Sequence, residues 1–313
     1  MDYLLGHSFG HYHIIERLGE GGMATTFKAY DTHQEKYVAL IVVRVSKELS
    51  EERIQLLNEA GKRLKQLSHP NLVAVLDFGM QKNMPYLVTH FENVRSLKHY
   101  PGLPIAYQKA ASLLAPMARA LEYLHNEGMI HGDIKPSNIL IANDQKPLLA
   151  DVGATRMIEI GCKEDISSGG MGFGTPAYMS PEQVSGDPIN QRSDIYALGI
   201  VFFELITARK PYDADTPLAV LTKQVHEPLI RPSKLNPAIP ERVEQIIFKA
   251  TAKNPEDRYQ TMSAFAQKLE EIAADEDKTE QLIVVPKPVP QAAAQPSPQA
   301  TPQSEAKTVQ QAV

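Results

Sequence analysis

Apolar and polar residues alternate along the first part of the chain, from about residue 10 to residue 92, between short turn-forming segments. A period of two residues is typical of strands with one buried face, so this part predicts a β-rich region. Residues 50–67 break the alternation with a helical stripe of apolar side chains: Leu57, Ala60, Leu64 and Leu67. Ser50 can cap this segment, which is therefore predicted as one helix within the β-rich region.

The spacing of apolar residues becomes helical from about residue 107 onward. It predicts helices over residues 107–126, 194–207 and 262–273. Between them, residues 158–172 contain two serines and four glycines and are predicted as a mobile loop. Residues 275–313 are dominated by Pro, Gln and Ala and predict a disordered tail, because they offer little apolar surface to bury.

Composition narrows the class of protein. Apolar residues make up 43% and charged residues 22% of the 313 residues, which is ordinary for a soluble globular chain. A net charge of −5 without a basic cluster argues against a nucleic-acid partner. The single cysteine, Cys162, fits a reducing compartment, and no segment is long and apolar enough to predict a membrane span. We therefore expect a cytoplasmic protein.

Candidate chemistry is concentrated in one short stretch, residues 131–140, and just behind it. Asp133 is followed two residues later by Lys135 and three residues after that by Asn138, and Asp151 comes next after a short predicted hairpin. A carboxylate can orient a hydroxyl group, a lysine can neutralise a moving phosphate, and an amide with a second carboxylate can bind Mg²⁺. The spacing predicts a site that holds a metal-bound triphosphate against a hydroxyl group.

These loops resemble the H-R-D-x-K-x-x-N and D-F-G loops of eukaryotic-type (Hanks-type) serine/threonine protein kinases. Further stretches look most like the bacterial members of that family: residues 18–24, 174–182, 193–199 and 254–259. The resemblance covers residues 11–272. It implies a bilobal α+β protein-kinase-like fold, with a strand-rich N-lobe with one helix at about 11–89 and a mainly helical C-lobe at about 93–272.

The resemblance also implies the cofactors ATP and Mg²⁺ and a protein substrate or regulated protein partner. Asp133, Lys135 and Thr175 would be catalytic, with Thr175 and Lys135 paired as in kinases that act on Ser/Thr acceptors, and Asn138 and Asp151 would hold Mg²⁺. The residues expected at the nucleotide are Gly19, Gly21, Gly22, Thr26, Ala39, Thr89, His90, Phe91, Glu92 and Leu140. Two features would be scaffold: an ion pair between Glu182 and Arg258, and Asp194, which would brace the catalytic loop.

The family's lysine–glutamate pair is missing from this chain. The third strand of the family's small lobe normally reads Val-Ala-x-Lys, but here residues 38–41 end in Ile41, and the position of the glutamate partner is Ala60. Loss of one charge would leave the other unpaired, whereas loss of both leaves a neutral contact that can pack. The paired change is therefore predicted to be a settled alternative to the ion pair.

Other departures concern nearby positions. Strand alternation points Arg44 to the opposite face from Ile41, whereas Lys28 shares a face with Thr26 and could reach the site. Gly132 replaces the arginine that receives an activation-loop phosphate in many kinases, and Val152 replaces the phenylalanine of D-F-G. Control by phosphorylation would lose its main anchor as a result.

Three functional interpretations remain open. The first is a working Ser/Thr kinase with weakened catalysis, because the loop carrying Asp133 is intact. The second is a catalytically silent pseudokinase that binds ATP or a partner as a regulatory or scaffolding module, because Ile41 and Ala60 are changed together. The third, a purely structural domain without nucleotide, is disfavoured by the retained metal ligands and glycines.

Overall fold

The computed structural model describes residues 1–45, 47–99, 102–161 and 175–275. The part of the predicted loop beyond Gly161 and the predicted tail beyond residue 275 lie outside these residues. The first part of the chain forms one antiparallel sheet in the order β1-β2-β3-β4-β6-β5. Its strands are β1 (Ser8–Phe9), β2 (Tyr12–Glu20), β3 (Ala24–Asp31), β4 (Lys36–Val43), β5 (Val75–Gln81) and β6 (Met84–His90).

The helix predicted within this region is present as α1 (Glu51–Gln66). The Ser50 hydroxyl accepts a hydrogen bond from the backbone N–H of Arg53, and Leu57 and Leu64 are buried as the apolar stripe requires. A short link after β6 leads to the larger, mainly helical lobe. The α+β, two-lobed architecture implied by the sequence is therefore confirmed.

The large lobe is built on two long helices. Among the described residues, the helices that follow the link are α2 (Tyr107–Asn126), α3 (Ala154–Gly161), α4 (Pro181–Ser185), α5 (Gln191–Thr207), α6 (Pro217–His226), α7 (Pro232–Leu235), α8 (Glu241–Ala250) and α9 (Met262–Ala273). The bounds predicted for α2 and α9 are confirmed, but α5 begins three residues before the predicted start at Asp194. Asn190 caps α5 by accepting from the backbone N–H of Arg192, and the apolar pattern alone does not reveal this cap.

A small sheet carries the candidate chemistry. Strands β7 (Arg95–Ser96), β8 (Ile139–Ile141) and β9 (Pro147–Leu149) pair in that order, and β8 and β9 form the predicted hairpin. The backbone N–H of Ala150 donates to the carbonyl of Asn138 at 2.8 Å. The hairpin thus brings Asn138 next to the segment that contains Asp151.

Strand β4 separates two apolar clusters. Leu40 and Val42 face a cluster formed by the sheet and the residues before β1, whereas Ile41 and Val43 face a larger one that continues through α1, α3 and α2 to α5. The period of two along a strand produces this division. Ile41 therefore lies in the apolar layer between the sheet and the rest of the molecule.

The prediction of a mobile loop from residue 158 was wrong for its first four residues. Residues 154–161 form helix α3, which packs on α1 and on strands β4 and β6. Met157 and Ile160 are buried, and Ala154 and Ile158 pack against the same core. Apolar residues at helical spacing outweigh the turn-forming composition that begins further along the chain. No helix in the described part of the chain has the length and apolar character that crossing a bilayer requires.

Candidate active site

Asp194, at the start of α5, fixes the loop that precedes Asp133. Its two carboxylate oxygens accept the backbone N–H groups of His131 and Gly132 at 2.9 and 2.8 Å, and the His125 imidazole lies 2.8 Å from one of them. Burial opposes the charge on Asp194, but the hydrogen bond to His125 and the loop amides outweigh it and hold the pKa of this carboxyl below its usual range. The predicted brace on the catalytic loop is therefore present.

Three of the predicted residues meet on this loop. Lys135 Nζ donates to Asp133 Oδ2 at 2.6 Å, and Asn138 Nδ2 donates to the Asp133 carbonyl at 2.9 Å and to Oδ2 at 3.3 Å. The short helical turn of residues 136–138 provides this geometry by folding Asn138 back onto Asp133. One carboxylate oxygen of Asp133 is thus held by a lysine and an amide.

Asp151 is half-buried, and its carboxylate has no hydrogen-bond donor from the described part of the protein. Its backbone adopts φ 58°, and no described side chain or backbone group donates a hydrogen bond to its carboxylate. Burial, followed by the nearby charge of Asp133, raises the pKa of the Asp151 carboxyl. A cation at this carboxylate would relieve both effects.

The donor set fits Mg²⁺. The ion prefers oxygen ligands and takes one or two carboxylates from a protein, with phosphates and water completing its octahedron. The carboxylate of Asp151 and the side-chain oxygen of Asn138 are such ligands, and the two residues are joined through the Ala150 backbone. Among the described residues, no group of three or more His, Cys, Asp or Glu side chains is placed to hold a metal ion, so phosphate and water would have to supply the other ligands.

The large lobe carries the predicted buried ion pair. Arg258 donates to both carboxylate oxygens of Glu182 at 2.7 Å, and the Ser193 hydroxyl donates to Glu182 at 2.7 Å. Burial opposes the charge of Glu182, but the Arg258 contacts prevail and lower the pKa of the Glu182 carboxyl. This pair ties the segment after Thr175 to the rest of the lobe.

A positioning contact was missed by sequence reasoning. Gln183 Nε2 donates to the Gly132 carbonyl at 3.0 Å, while its Oε1 accepts from the backbone N–H and the hydroxyl of Ser180. Gly132 is therefore held from both sides, by Gln183 and by Asp194, one residue before Asp133. The sequence signal was only an amide next to Glu182, which by itself indicates no target.

Thr175 lies on the same side of the loop as Asp133. The two residues line one small cavity together with Tyr178, Met179 and Gln183. Lys135 pairs with Asp133, so a pairing of Thr175 with Lys135 stays a prediction.

The predicted adenine residues fall on adjacent strands. Ala39 of β4 lies opposite Thr89 of β6, which is buried, and Thr26 of β3 lies opposite Ile41. Phe91, Glu92 and Leu140 are half-buried. The backbone N–H of His90 already donates to the carbonyl of Ala74 at 3.1 Å, so a base could use only the carbonyl of that residue.

The predicted phosphate turn joins β2 and β3. The backbone N–H of Gly21 donates to the carbonyl of Ala24 at 2.8 Å, which closes a tight turn, and the three glycines are exposed: Gly19, Gly21 and Gly22. Exposed backbone without side chains can approach phosphate oxygens, although the N–H of Gly21 is already used within the turn.

No charged pair lies at the position of the lysine and glutamate. Ile41 is 2% exposed within the large apolar cluster, and Ala60 packs against the same cluster. Lys28 Nζ lies over the rings of Tyr37 and Phe91, at 4.8 and 4.9 Å from their centres. Arg44 contacts Glu20 and Thr25, as its strand face predicted. Arg44 is therefore engaged away from Ile41, whereas Lys28 lies beside Phe91, one of the residues predicted at the nucleotide.

Comparison with known proteins gives a consistent result. The protein kinase domain family matches residues 12–269. The probable serine/threonine-protein kinase PknB of Lactococcus lactis is 33% identical over 251 residues, covering 79% of this chain and 40% of that protein. The serine/threonine-protein kinase PrkC of Bacillus subtilis is 33% identical over 254 residues, covering 80% of this chain and 39% of that protein. The chain spans about two fifths of the length of these curated relatives.

A solved structure supports the fold. The PknI kinase domain of Mycobacterium tuberculosis is 22% identical to this chain and superposes with a TM-score of 0.64. The match covers 86% of this chain and 98% of that domain. At this identity the likeness concerns the fold alone.

Proposed function

The chain belongs to the Hanks-type family of serine/threonine protein kinases, and we propose that it transfers the γ-phosphate of ATP to serine or threonine of a protein substrate with weakened catalysis. The observation that carries the proposal is the cluster in which Lys135 and Asn138 both donate to Asp133, with Asp151 close enough to feel its charge. Phosphoryl transfer depends mainly on positioning and charge stabilisation, and these groups supply both.

Each residue of the cluster has one role in the proposal. Asp133 accepts a hydrogen bond from the acceptor hydroxyl and orients it, and it takes up the hydroxyl proton as transfer proceeds. Lys135 bridges Asp133 and the transferred phosphate, and Thr175 helps to place the acceptor. Asn138 and Asp151 hold Mg²⁺, which when bound neutralises phosphate charge.

The nucleotide lies between the sheet and the link in this proposal. The glycine turn covers the phosphates with exposed backbone that no side chain shields: Gly19, Gly21 and Gly22. The adenine packs among Thr26, Ala39 and Leu140, bounded at the back by Thr89, with hydrogen bonds from the link at His90, Phe91 and Glu92. The domain itself is assigned to residues 11–272.

The missing lysine sets the expected rate. Removal of one preorganised charge from a transition state costs about 10²–10³ in rate. Kinase-type acceleration exceeds that factor by many orders of magnitude, since enzymes accelerate reactions by roughly 10⁶-fold or more. Transfer that depends on Asp133 should therefore persist at a reduced rate.

A second candidate is a catalytically silent pseudokinase that binds ATP or scaffolds a partner. The observation in its favour is the burial of Ile41 among apolar side chains, which leaves no cation at position 41 for the α- and β-phosphates. Both candidates involve a protein partner, and the single cysteine supports a cytoplasmic location for either.

Binding and transfer separate the two candidates when measured on one preparation. A thermal-shift titration with Mg-ATP reports binding, and radiolabelled transfer to a generic basic protein reports chemistry. Asp133→Asn is the test variant, and Asp187→Asn, at an exposed carboxylate on the same lobe, is the matched control.

Three outcomes are distinguishable. Transfer that is lost in Asp133→Asn and retained in Asp187→Asn supports the kinase. A thermal shift without transfer supports the pseudokinase. Transfer that is equal in both variants would come from a contaminant and would reject the proposal.

A further inference from the structure

Helix α3 begins in the large lobe and ends in the small one. The backbone N–H groups of Ala154 and Met157 donate to the carbonyls of Asp151 and Gly153 at 3.1 and 3.0 Å. The body of the helix packs on α1 and on strands β4 and β6. The segment of residues 151–153, called the metal loop below because Asp151 is a proposed Mg²⁺ ligand, is therefore continuous with a helix that packs on the small lobe.

Both ends of α3 are closely fitted. A β-carbon on Gly153, where φ is 83°, would lie 2.4 Å from Cδ1 of Leu64, and one on Gly161 would lie 3.5 Å from Cγ1 of Val45. The first distance leaves no room for a side chain, and the second is an ordinary van der Waals contact. Glycine at position 153 therefore lets the start of the helix approach α1 closely.

Helix α3 depends for its structure on the surface that it packs on, which is formed by α1, β4 and β6 and is called its seat below. Met157 and Ile160 are buried on the inner side, whereas Arg156 and Glu159 form an ion pair at 3.1 Å on the outer side. A helix of eight residues is too short to be stable alone in water, because nucleation is costly. Packing of the inner side must therefore hold α3 in helical form.

The seat is apolar because the family's charged pair is absent. Ile41 and Val43 of β4 belong to the same buried cluster as Met157 and Ile160, and Ala60 of α1 packs against it. A lysine at position 41 would place an ammonium group in this layer, where an unpaired charge is costly. The apolar residues Ile41 and Ala60 are therefore part of the surface on which α3 packs.

Through this seat, α3 links two parts of the small lobe: helix α1, which is attached to the large lobe, and strands β4 and β6. The C-terminal end of α1 is anchored on the large lobe, because the Ser68 N–H donates to Tyr123 Oη at 3.1 Å and Arg63 donates to the Glu127 carbonyl at 3.2 Å. Helix α3 extends the attachment to β4 and β6, the strands that carry Ala39 and Thr89.

We infer that α3 is a strap that ties the nucleotide-facing sheet to the metal loop, limits the separation of the two lobes and so controls nucleotide exchange. Cleft opening is a common rate-determining step when ligand lies between two lobes. The control of exchange rests on the proposed ATP binding, whereas the restraint on the lobes does not.

The restraint is tested by the distance between the lobes. Spin labels at Gln34→Cys and Lys234→Cys, both exposed positions, report that distance by double electron–electron resonance in a Cys162→Ser background. Met157→Gln makes the inner side of α3 polar at similar length. Arg156→Gln, on the exposed outer side, is the matched control.

Exchange is tested in the same variants without labels, by the release rate of a methylanthraniloyl ATP analogue in the presence of Mg²⁺. A disulfide between Val45→Cys and Gly161→Cys, again with Cys162→Ser, gives the opposite perturbation, because it links the strap covalently to the segment just after β4. Reduction of the disulfide provides the internal control.

If α3 acts as a strap, Met157→Gln lengthens and broadens the distribution of distances between the two spin labels and speeds release of the ATP analogue by about tenfold or more. Arg156→Gln should leave both unchanged, and the oxidised disulfide should slow release until it is reduced. An unchanged distance distribution in Met157→Gln would overturn the strap. If Met157→Gln did not melt cooperatively, the disulfide variant would decide the question. Equal release rates for its oxidised and reduced forms would overturn the inference that α3 controls nucleotide exchange. Absence of analogue binding in every form would instead reject the proposed ATP binding. The distances between the spin labels would still test whether α3 restrains the lobes.

Discussion

A β-carbon on Gly132 would lie 2.9 Å from Cγ2 of Thr155. Gly132 is the position of the family's arginine, and Thr155 is in the first turn of α3. The backbone of Gly132 also has φ 75°, which side chains other than glycine rarely adopt. Loss of the arginine therefore lets α3 lie directly against the catalytic loop.

Gly132→Ala should destabilise the fold by about 1–2 kcal/mol, because the left-handed backbone and the contact with Thr155 both oppose a β-carbon. Thr155→Ser removes the contacting methyl group and should recover the steric part of that loss in the double variant. Urea unfolding of the four forms measures the coupling. If the two effects were simply additive, the contact would not limit the approach of α3.

Much of this site was predictable because it is local in sequence. The offsets from Asp133 to Lys135 and Asn138 span one loop, so neighbouring positions had to place them together. The same holds for the hairpin that brings Asp151 to Asn138. The contact of Gln183 with Gly132 joins residues 51 positions apart. No periodic pattern encodes such a contact.

Asp151→Asn should stabilise the protein at neutral pH. The folded state raises the pKa of this carboxyl, so the native protein binds more protons than the unfolded chain, and stability falls as pH rises from the ordinary aspartate pKa of about 3.9 to the raised value. The asparagine variant loses that penalty, so its melting temperature should exceed that of the wild type at neutral pH.

The difference should vanish below the ordinary aspartate pKa, where both side chains are neutral. Asp187→Asn, at an exposed carboxylate, is the control for the general loss of a negative charge. Mg-ATP should raise the melting temperature of the wild type and not that of Asp151→Asn. A lower melting temperature for Asp151→Asn at neutral pH would contradict the proposed origin of the shift.

Glu182→Ala should cost about 3–5 kcal/mol, because it leaves the buried guanidinium of Arg258 unpaired. Glu241→Ala, which removes an exposed partner of Arg231, should cost no more than about 1 kcal/mol. Calorimetry of both variants gives the comparison. Equal costs would mean that burial of the Arg258 pair adds nothing.

The contribution of Glu182 to stability changes with pH in the opposite direction to that of Asp151. The folded state lowers the pKa of Glu182, so its contribution is complete above the ordinary glutamate pKa of about 4.3 and is lost as pH falls through the folded value. In Glu182→Gln the acid-side loss of stability should be smaller than in the wild type.

Ile41→Lys should destabilise the fold by about 2 kcal/mol or more, because the ammonium would enter an apolar layer without a carboxylate at position 60. Ile41→Met keeps the volume and should cost less than about 1.5 kcal/mol. Equal melting temperatures for wild type and Ile41→Lys would mean that position 41 is open to water.

Helix α3 was not predicted from the sequence pattern. Ala154, Met157, Ile158 and Gly161 follow helical spacing, but the serines and glycines from Ser167 onward favour a loop and set the predicted boundary too early. The helix is stable only through residues far along the chain, such as Leu64 and Val43. Tertiary packing therefore decided its structure.

The most direct test of the account is single-turnover transfer from γ-labelled ATP with Mg²⁺, measured for the wild type and Asp133→Asn on the same protein substrate. The account predicts measurable transfer by the wild type and a decrease of at least about 10²-fold in the variant. No transfer by a wild-type sample that binds Mg-ATP, or equal rates in the two forms, would contradict it.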